Sequence, residues 1–394
     1  MMTTADTPAF VLAIDHRNSL RRWYMGLTGA GAADTPTATA ALTSAKVLVA
    51  EALLAAATGM HGQPMLLIDE EYGVDAIATV RAGDKNVQVV IPAERSGQPE
   101  FIFEHGDDFG AHIEASGADI VKALVRYNPS DDPERNARSR AGLLRLAKWL
   151  DERDLPLMLE LLVPATPAQA SEQFDNAVRP GLTRAAIGEL SRAGLSPAFW
   201  KVEGQPSTAE FASLAAATGN GRCLVLGRGE DAEAVGRWVA MAAAAPGFSG
   251  FAVGRTIWAE PLGEWLTGTR SRDDAVATIS ANYLHFTGIY EDNRSSPLCP
   301  KTRCGVDRRS AVAVSGWRPR PGGMAFSWPC CLLAGPAALF ALTGFAWAGG
   351  ADWFWRDARA GSDVSVPAGP EQCEGLPYRE GISLVFEGRV LTKR

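Results

Sequence analysis

Three charged side chains interrupt apolar stretches of the sequence in the same way. Lys122 lies within DIVKALV, Glu160 within LMLELLV and Lys201 within FWKV. A buried charge without a partner is costly, so each of these side chains needs a countercharge or a function. Two lysines that lie close together repel each other, and burial favours the neutral amine, so both effects lower a lysine pKa.

These residue types predict covalent chemistry at a lysine. A neutral amine attacks a ketone to form a Schiff base, and a neighbouring carboxyl group can move protons to and from the adduct. Glu160 suits that role because its segment lies between those of the two lysines. Two alternatives stay open at this point. Either lysine could be the nucleophile, and the three charges could instead form a structural ion-pair cluster.

Eight short apolar runs, which alternate with Ala-, Leu-, Glu- and Arg-rich stretches, must position these residues. Near-continuous apolar strands indicate burial on both faces, as in a parallel sheet. Eight such units predict an α/β fold, the (β/α)8 or TIM barrel. A doubly wound open sheet is the alternative, but no GxGxxG motif follows a strand with an acidic residue at the required distance. The predicted strands are residues 10–15, 64–70, 87–94, 119–127, 155–164, 198–204, 222–227 and 250–254.

Polar residues at the C-terminal ends of barrel strands point into the catalytic mouth. Asp15, His16 and Arg17 end the first predicted strand, and Arg126 lies at the end of the fourth. We interpret these four residues as candidates for substrate binding.

Two Gly-Arg pairs follow the last two strands, Gly227-Arg228 after the seventh and Gly254-Arg255 after the eighth. Barrel enzymes frequently bind phosphate at these two loops. Glycine lets the main chain approach an anion, and arginine adds a bidentate positive charge. A single Gly-Arg pair is more often a surface turn, but two pairs at these two positions predict a phosphate site.

Composition and charge exclude several classes of protein. The chain has 394 residues and a net charge of −7, which argues against a nucleic-acid-binding surface. Cys223 is the only cysteine before Cys299, which excludes a disulfide framework or a cysteine zinc site in the main body. The first residues show no secretory signal, so we expect a cytoplasmic protein. His16 is the one histidine at a strand end, so we predict no catalytic metal and no cofactor.

The sequence changes character after residue 294. Five of the six cysteines and five of the eleven tryptophans lie beyond it, and no charged residue lies between Pro321 and Ala351. That stretch is long enough to cross a bilayer, although Pro329 and Pro336 weaken a transmembrane helix. A small accessory domain is a second interpretation, and a tail from a shifted reading frame, which the residue bias favours, is a third. We therefore predict a barrel over residues 1–294 and an irregular tail, disordered or membrane-associated, over residues 295–394.

Eight collinear blocks carry a family resemblance: VLAIDHRNSL, DEEYG, PAERSGQPEF, VKALVRYNPSDD, ELLVPAT, WKVEG, LGRGED and GFAVGRTIW. They resemble the 2-deoxy-5-keto-gluconate 6-phosphate aldolase domain of myo-inositol catabolism and, more distantly, class I tagatose 1,6-bisphosphate aldolases. The resemblance covers roughly residues 8–292. In many bacteria that domain is fused to a sugar kinase, so we expect a separate kinase as a functional partner, a small sugar phosphate as substrate, and a homo-oligomer.

The resemblance implies cleavage of 2-deoxy-5-keto-gluconate 6-phosphate to dihydroxyacetone phosphate and malonate semialdehyde. It assigns the Schiff-base lysine to Lys201, the neighbouring lysine to Lys122 and the acid/base carboxyl to Glu160. The family's Asp-Gln-Arg motif appears here as Asp15-His16-Arg17, so the sequence departs from the pattern at His16. The alternatives are a class I aldolase for another ketose or sulfo-sugar phosphate, and a non-catalytic barrel that binds a sugar phosphate.

Overall fold

The computed structural model describes residues 7–29, 36–84 and 86–294 in full, and beyond them the backbone of six strands between Cys331 and Lys393. Eight parallel strands close into a barrel in sequence order, with β1 paired to both β2 and β8. The predicted (β/α)8 barrel is therefore confirmed. The strands are β1 (Ala9–Ile14), β2 (Gln63–Ile68), β3 (Gln88–Pro92), β4 (Ile120–Arg126), β5 (Leu157–Leu162), β6 (Phe199–Val202), β7 (Arg222–Leu226) and β8 (Phe248–Val253).

Ten helices surround the described strands of the barrel. Asp132, Ser207, Asp231 and Ser271 each accept a backbone N–H bond at a helix start, as good N-cap residues do. The helices are α1 (Asn18–Thr28), α2 (Pro36–Ala57), α3 (Val74–Ala82), α4 (Phe109–Ser116), α5 (Pro133–Asp151), α6 (Arg179–Arg192), α7 (Thr208–Ala217), α8 (Ala232–Ala244), α9 (Arg255–Leu266) and α10 (Arg272–Asn293).

The alternation of side chains along each strand decides which residues reach the barrel interior. A small interior cluster of buried apolar residues includes Ile120 on β4, Met158 on β5 and Phe199 on β6. The period of a strand is two residues, so the next interior position on each strand is a charged one. These positions are Lys122, Glu160 and Lys201.

Helix α2 is the one helix in the described part of the chain that is long and apolar enough to cross a membrane. More than half of its apolar window, 56%, is buried inside the protein. Leu42, Val49 and Leu53 belong to the layer of apolar side chains between strands and helices. Burial in this layer accounts for the apolar composition of α2, since a core helix needs the same residues.

Residues 303–394 form a second unit, in which β9 (Cys331–Gly335) pairs antiparallel with β10 (Ala338–Leu342). A four-stranded antiparallel sheet has the order β12 (Asp363–Val366), β11 (Trp353–Asp357), β14 (Arg389–Lys393), β13 (Ser383–Phe386). The uncharged stretch from Pro321 to Ala351 contains β9 and β10 and otherwise lies outside the described residues. The boundary after residue 294 and the nature of the tail stay predictions.

Candidate active site

Lys122 lies at the centre of a buried ionic cluster inside the barrel and is 2% exposed. Its Nζ lies 2.8 Å from Asp15 Oδ2, 2.7 Å from Glu94 Oε1 and 3.0 Å from Glu160 Oε2. An ammonium group has three N–H donors. Two of these donors form hydrogen bonds, to Asp15 after β1 and to Glu94 after β3, and Glu160 on β5 adds a third ion pair.

Lys201 joins the same cluster through Glu160. Its Nζ donates to Glu160 Oε2 over 2.8 Å, and the ladder between β5 and β6 places the two residues directly opposite each other. Glu160 Oε2 thus contacts both lysine nitrogens, and no other carboxylate among the described residues pairs with Lys201. The structure brings together the three residues that the sequence singled out, with Asp15.

The charges in this cluster shift one another's pKa values. Burial acts to lower the pKa of Lys122, but Asp15, Glu160 and Glu94 outweigh it and raise that pKa well above its usual value. Burial alone acts in the expected direction, but the net shift at Lys122 is upward and keeps this lysine charged. Burial acts to raise the pKa of Asp15 and of Glu160, yet Lys122 and Lys201 together lower both.

Glu94 is a member of the cluster that the sequence interpretation did not select. It lies two residues after β3, its Oε2 accepts a hydrogen bond from Leu124 N over 3.1 Å, and burial raises its pKa. Its position in PAERSG was visible at a strand end. The contact with Lys122 was not, because it depends on how β3 and β4 pair.

A second buried ion pair fixes the loop that follows β1. Lys46 on α2 is fully buried and pairs with Asp69 after β2. Its Nζ also donates to Ile14 O over 2.8 Å and to His16 O over 3.1 Å. The backbone that presents Asp15 is therefore held from the helix side.

His16 packs edge-on against Trp258, with ring centroids 5.7 Å apart. Burial lowers the pKa of His16 to about 4, with Arg255 and Lys201 acting in the same direction and Asp15 opposing them. Its Nδ1 is buried and has no hydrogen-bond partner among the described residues. At neutral pH the ring is therefore uncharged and has one buried nitrogen without a hydrogen bond to any described residue.

The two arginines near the first and fourth strand ends differ in their contacts. Arg17 is buried, and it donates to Glu104 Oε2 over 2.6 Å and to Glu94 O over 2.5 Å. Arg126 donates to Gln98 O over 2.8 Å and has no carboxylate partner among the described residues. Arg126 thus retains more capacity to bind an anion.

The two Gly-Arg loops lie side by side but are not equivalent. Arg228 pairs with Asp175 over 2.8 Å and with the buried Glu203 over 3.3 Å. Arg255 lies against Gly229, where a Cβ atom would collide with its guanidinium group, and it donates to Arg228 O over 3.5 Å. Within the described part of the chain, Arg255 pairs with no carboxylate.

Residue 254 is the N-cap of α9 and provides no capping side chain. A Cβ atom there would collide with Ala13 O, so glycine permits the close packing of β1 against this turn. Gly227 directly follows β7, where a Cβ atom would contact Val253 on β8. An exposed helix N-terminus beside an unpaired arginine is a favourable site for a phosphate.

A family match covers the whole barrel. Residues 2–294 match the family described as "Uncharacterized protein conserved in bacteria (DUF2090)". The chain belongs to this family.

This DUF2090 protein is similar to tagatose aldolases over part of its length. It is 27% identical over 208 residues to tagatose 1,6-diphosphate aldolase 2 of Enterococcus faecalis, a match that covers 51% of this chain and 58% of that enzyme. It is 31% identical over 159 residues to tagatose 1,6-diphosphate aldolase 1 of Streptococcus mutans, covering 38% and 44%. The chain thus spans about half the length of these relatives. The predicted distant similarity to tagatose aldolases is confirmed.

The barrel also resembles a solved fructose-bisphosphate aldolase from Plasmodium falciparum, crystallised with TRAP and a small-molecule inhibitor. The TM-score is 0.53 at 14% sequence identity, and the match covers 73% of this chain and 91% of the other. At this identity the likeness supports the fold alone.

Proposed function

We propose that the barrel is a class I aldolase that cleaves a ketose phosphate through a Schiff base on Lys201. The proposed substrate is 2-deoxy-5-keto-gluconate 6-phosphate, and the products are dihydroxyacetone phosphate and malonate semialdehyde. The similarity to tagatose aldolases supports aldol chemistry, and the family resemblance of the sequence blocks supports this particular substrate. We also propose a cytoplasmic homo-oligomer that receives its substrate from a separate sugar kinase.

The different hydrogen bonding of the two lysines is the observation that carries this proposal. Lys122 donates hydrogen bonds to Asp15 and Glu94 and forms a third ion pair with Glu160. Its pKa is raised, so it stays charged and does not attack a carbonyl. Lys201 has a single carboxylate partner, Glu160 Oε2. That oxygen can accept the ammonium proton and free the amine for attack.

In the proposed reaction, Lys201 Nζ adds to the ketone carbon, and Glu160 passes the proton that it took from Lys201 to the departing oxygen. Water leaves, which gives an iminium ion and an ionised Glu160. Glu160 takes the proton from the hydroxyl group two carbons away. The carbon–carbon bond between that hydroxyl-bearing carbon and the carbon beside the iminium then breaks, and its electron pair moves into the iminium to form an enamine. Malonate semialdehyde leaves, and Glu160 gives the hydroxyl proton to the enamine carbon. Water then hydrolyses the resulting iminium ion, which releases dihydroxyacetone phosphate and regenerates Lys201. Lys122 remains charged and stabilises oxygen atoms that gain negative charge.

The two ends of the substrate would meet different arginines. Arg255, beside the N-terminus of α9, is the proposed phosphate ligand, and Arg228 assists once its contacts with Asp175 and Glu203 rearrange. Arg126 is the proposed partner of the substrate carboxylate because Arg17 is already paired with Glu104. A carboxylate contact would distinguish this substrate from ordinary ketose phosphates.

Borohydride trapping tests the proposal directly. The full chain is incubated with dihydroxyacetone phosphate, reduced with borohydride and mapped by peptide mass spectrometry. We expect one stable adduct, on Lys201, which K201R abolishes. K148R is the matched control, because it makes the same change at an exposed lysine on α5 and should trap as the native chain does.

Trapping on Lys122 would reverse the roles of the two lysines. No adduct, together with loss of activity in a chelator, would eliminate the Schiff-base mechanism. Substrates with one or two phosphates, including tagatose 1,6-bisphosphate and sulfo-sugar phosphates, then decide the specificity. A chain that binds these compounds without turnover would be a non-catalytic binding protein.

A further inference from the structure

Three side chains with potential metal-ligand atoms converge at segments that follow β2 and β3, outside the ionic cluster of Lys122. Glu70 follows β2, His105 lies in the connection from β3 to α4, and His112 lies on α4. Each offers one ligand atom, and these three atoms lie within 4.8 Å of one another. The two imidazole rings are stacked with centroids 3.4 Å apart and an angle of 8° between their planes. His105 Nε2 lies 3.7 Å from Glu70 Oε2.

This ligand set has a clear chemical preference. Two imidazoles and one carboxylate suit zinc and similar first-row divalent ions, whereas calcium and magnesium prefer oxygen ligands alone. Bonds of about 2.0–2.2 Å in a tetrahedral site place the ligand atoms roughly 3.3 Å apart. The three ligand atoms must therefore come closer to one another by about 1 Å, and the two parallel imidazole rings must rotate. They are partly or fully exposed, so these rotations are available.

The backbone positions of two of the ligands are held by their neighbours. Glu104, which precedes His105, accepts from Arg17 over 2.6 Å, and its own N–H donates to Ala93 O over 3.0 Å. These two contacts limit the motion of the backbone next to His105. A site whose ligands start from fixed backbone positions needs less ordering when the ion binds.

Glu70 is held in a comparable way. It follows Asp69, whose Oδ1 accepts from Tyr72 N over 3.1 Å and which pairs with the buried Lys46. The third ligand, His112, lies within the regular hydrogen bonding of α4. Three separate segments thus present one ligand each.

We propose that Glu70, His105 and His112 bind one zinc-class divalent ion, with water completing the coordination. The ion fastens the β3–α4 connection and α4 to the turn after β2. In the described part of the chain, no hydrogen bond or ion pair joins these three residues to Lys122, Glu160 or Lys201. In this proposal the ion has a structural role, and its binding does not depend on the proposed aldolase activity.

Cobalt(II) absorption of the full, untagged chain tests this proposal. Cobalt is titrated into the metal-free protein, and the native chain is compared with the double variant H105A/H112A. The tail cysteines are the same in both, so the difference spectrum isolates the histidine site. We expect d–d bands of a nitrogen- and oxygen-ligated ion in the native chain alone, displaced by one equivalent of zinc. Loss of an outer-shell partner already costs about 10–100-fold in metal affinity, so loss of these ligands should weaken zinc binding about 100-fold or more.

The control variant is H285A, because His285 is also exposed but lies on α10. It should bind cobalt as the native chain does. E70Q keeps both histidines and removes one charge, so it should bind with intermediate affinity. Circular dichroism verifies that each variant is folded. Equal spectra and equal zinc affinities for the native chain and H105A/H112A would overturn the proposal, whether or not the chain is an aldolase.

Discussion

Replacing Lys122 with methionine should destabilise the barrel much more than the same change at Lys201. In K122M, three buried carboxylates lose a common cation whose nitrogen lies 2.7–3.0 Å from each of them. Glu160 keeps Lys201 and Glu94 keeps its bond from Leu124 N. Asp15 loses its only cationic hydrogen-bond donor among the described residues. Breaking a buried pair in this way costs about 3–5 kcal/mol of unfolding free energy.

The matched variant K201M removes one ion pair but leaves Glu160 3.0 Å from Lys122. A lost hydrogen bond between charged groups costs about 1.5–3 kcal/mol. Both variants should be inactive, so activity cannot separate them but stability can. Urea denaturation at pH 7.5 should show K122M to be less stable than K201M by about 2 kcal/mol.

The pH dependence gives a second, independent readout of the same change. In the native chain, Lys122 and Lys201 hold the pKa of Asp15 below its unfolded value despite burial. The stability from this pairing is present above that unfolded value, about 3.9, and is lost as the pH falls below it. Without Lys122, burial raises the folded pKa instead, so the variant loses stability as the pH rises. The difference in unfolding free energy between the native chain and K122M should therefore become smaller as the pH falls from 7.5 to 5. A K122M chain as stable as K201M, or a gap independent of pH, would refute the assignment of Lys122 as the central countercharge.

Two further predictions concern the mouth. Because burial lowers the pKa of His16 to about 4, below its unfolded value of about 6.5, only the unfolded chain gains this proton between those pH values. As the pH falls from about 6.5 to about 4, the native chain should therefore lose about 2–3 kcal/mol more unfolding free energy than H16Q, as measured by urea denaturation. Equal losses in the two chains would contradict a buried, neutral His16 ring. R255A should raise KM for a phosphorylated substrate about 10–100-fold and R228A less, since Arg228 is already paired with Asp175 and Glu203. Steady-state kinetics measure both KM values, with the K148R chain as control. A larger rise in KM for R228A than for R255A would contradict this order.

The strands and the inward-facing charges were predictable because both follow from local patterns. Each strand is an apolar run long enough to be recognised, and Lys122, Glu160 and Lys201 lie two residues beyond a buried apolar neighbour. Their side chains therefore had to share its face of the sheet. The pairing of Glu160 with Lys201 then follows from parallel strands in register.

The contacts made by loops could not be predicted in the same way. Asp175 lies in the long connection before α6, and nothing in its local sequence indicates that it reaches Arg228. His105 and His112 are seven positions apart and join Glu70 only through the packing of α4. Lys46 resembles an ordinary helix residue in sequence, although it is fully buried against β1. Such contacts depend on tertiary packing and on loop conformation.

The buried lysines differ in the number of acceptors that their amines contact, and this difference has a consequence for covalent inhibitors. Lys46 donates to two carbonyl oxygens and a carboxylate, and Lys122 contacts three carboxylates. Within the described barrel, Lys201 is the buried lysine whose amine is held by a single acceptor. A compound with an aldehyde or ketone that enters the mouth therefore has one reactive amine available inside the barrel. Selectivity for Lys201 would come from the hydrogen bonds and ion pairs that already hold Lys46 and Lys122. The shape of the compound can therefore be optimised for affinity alone.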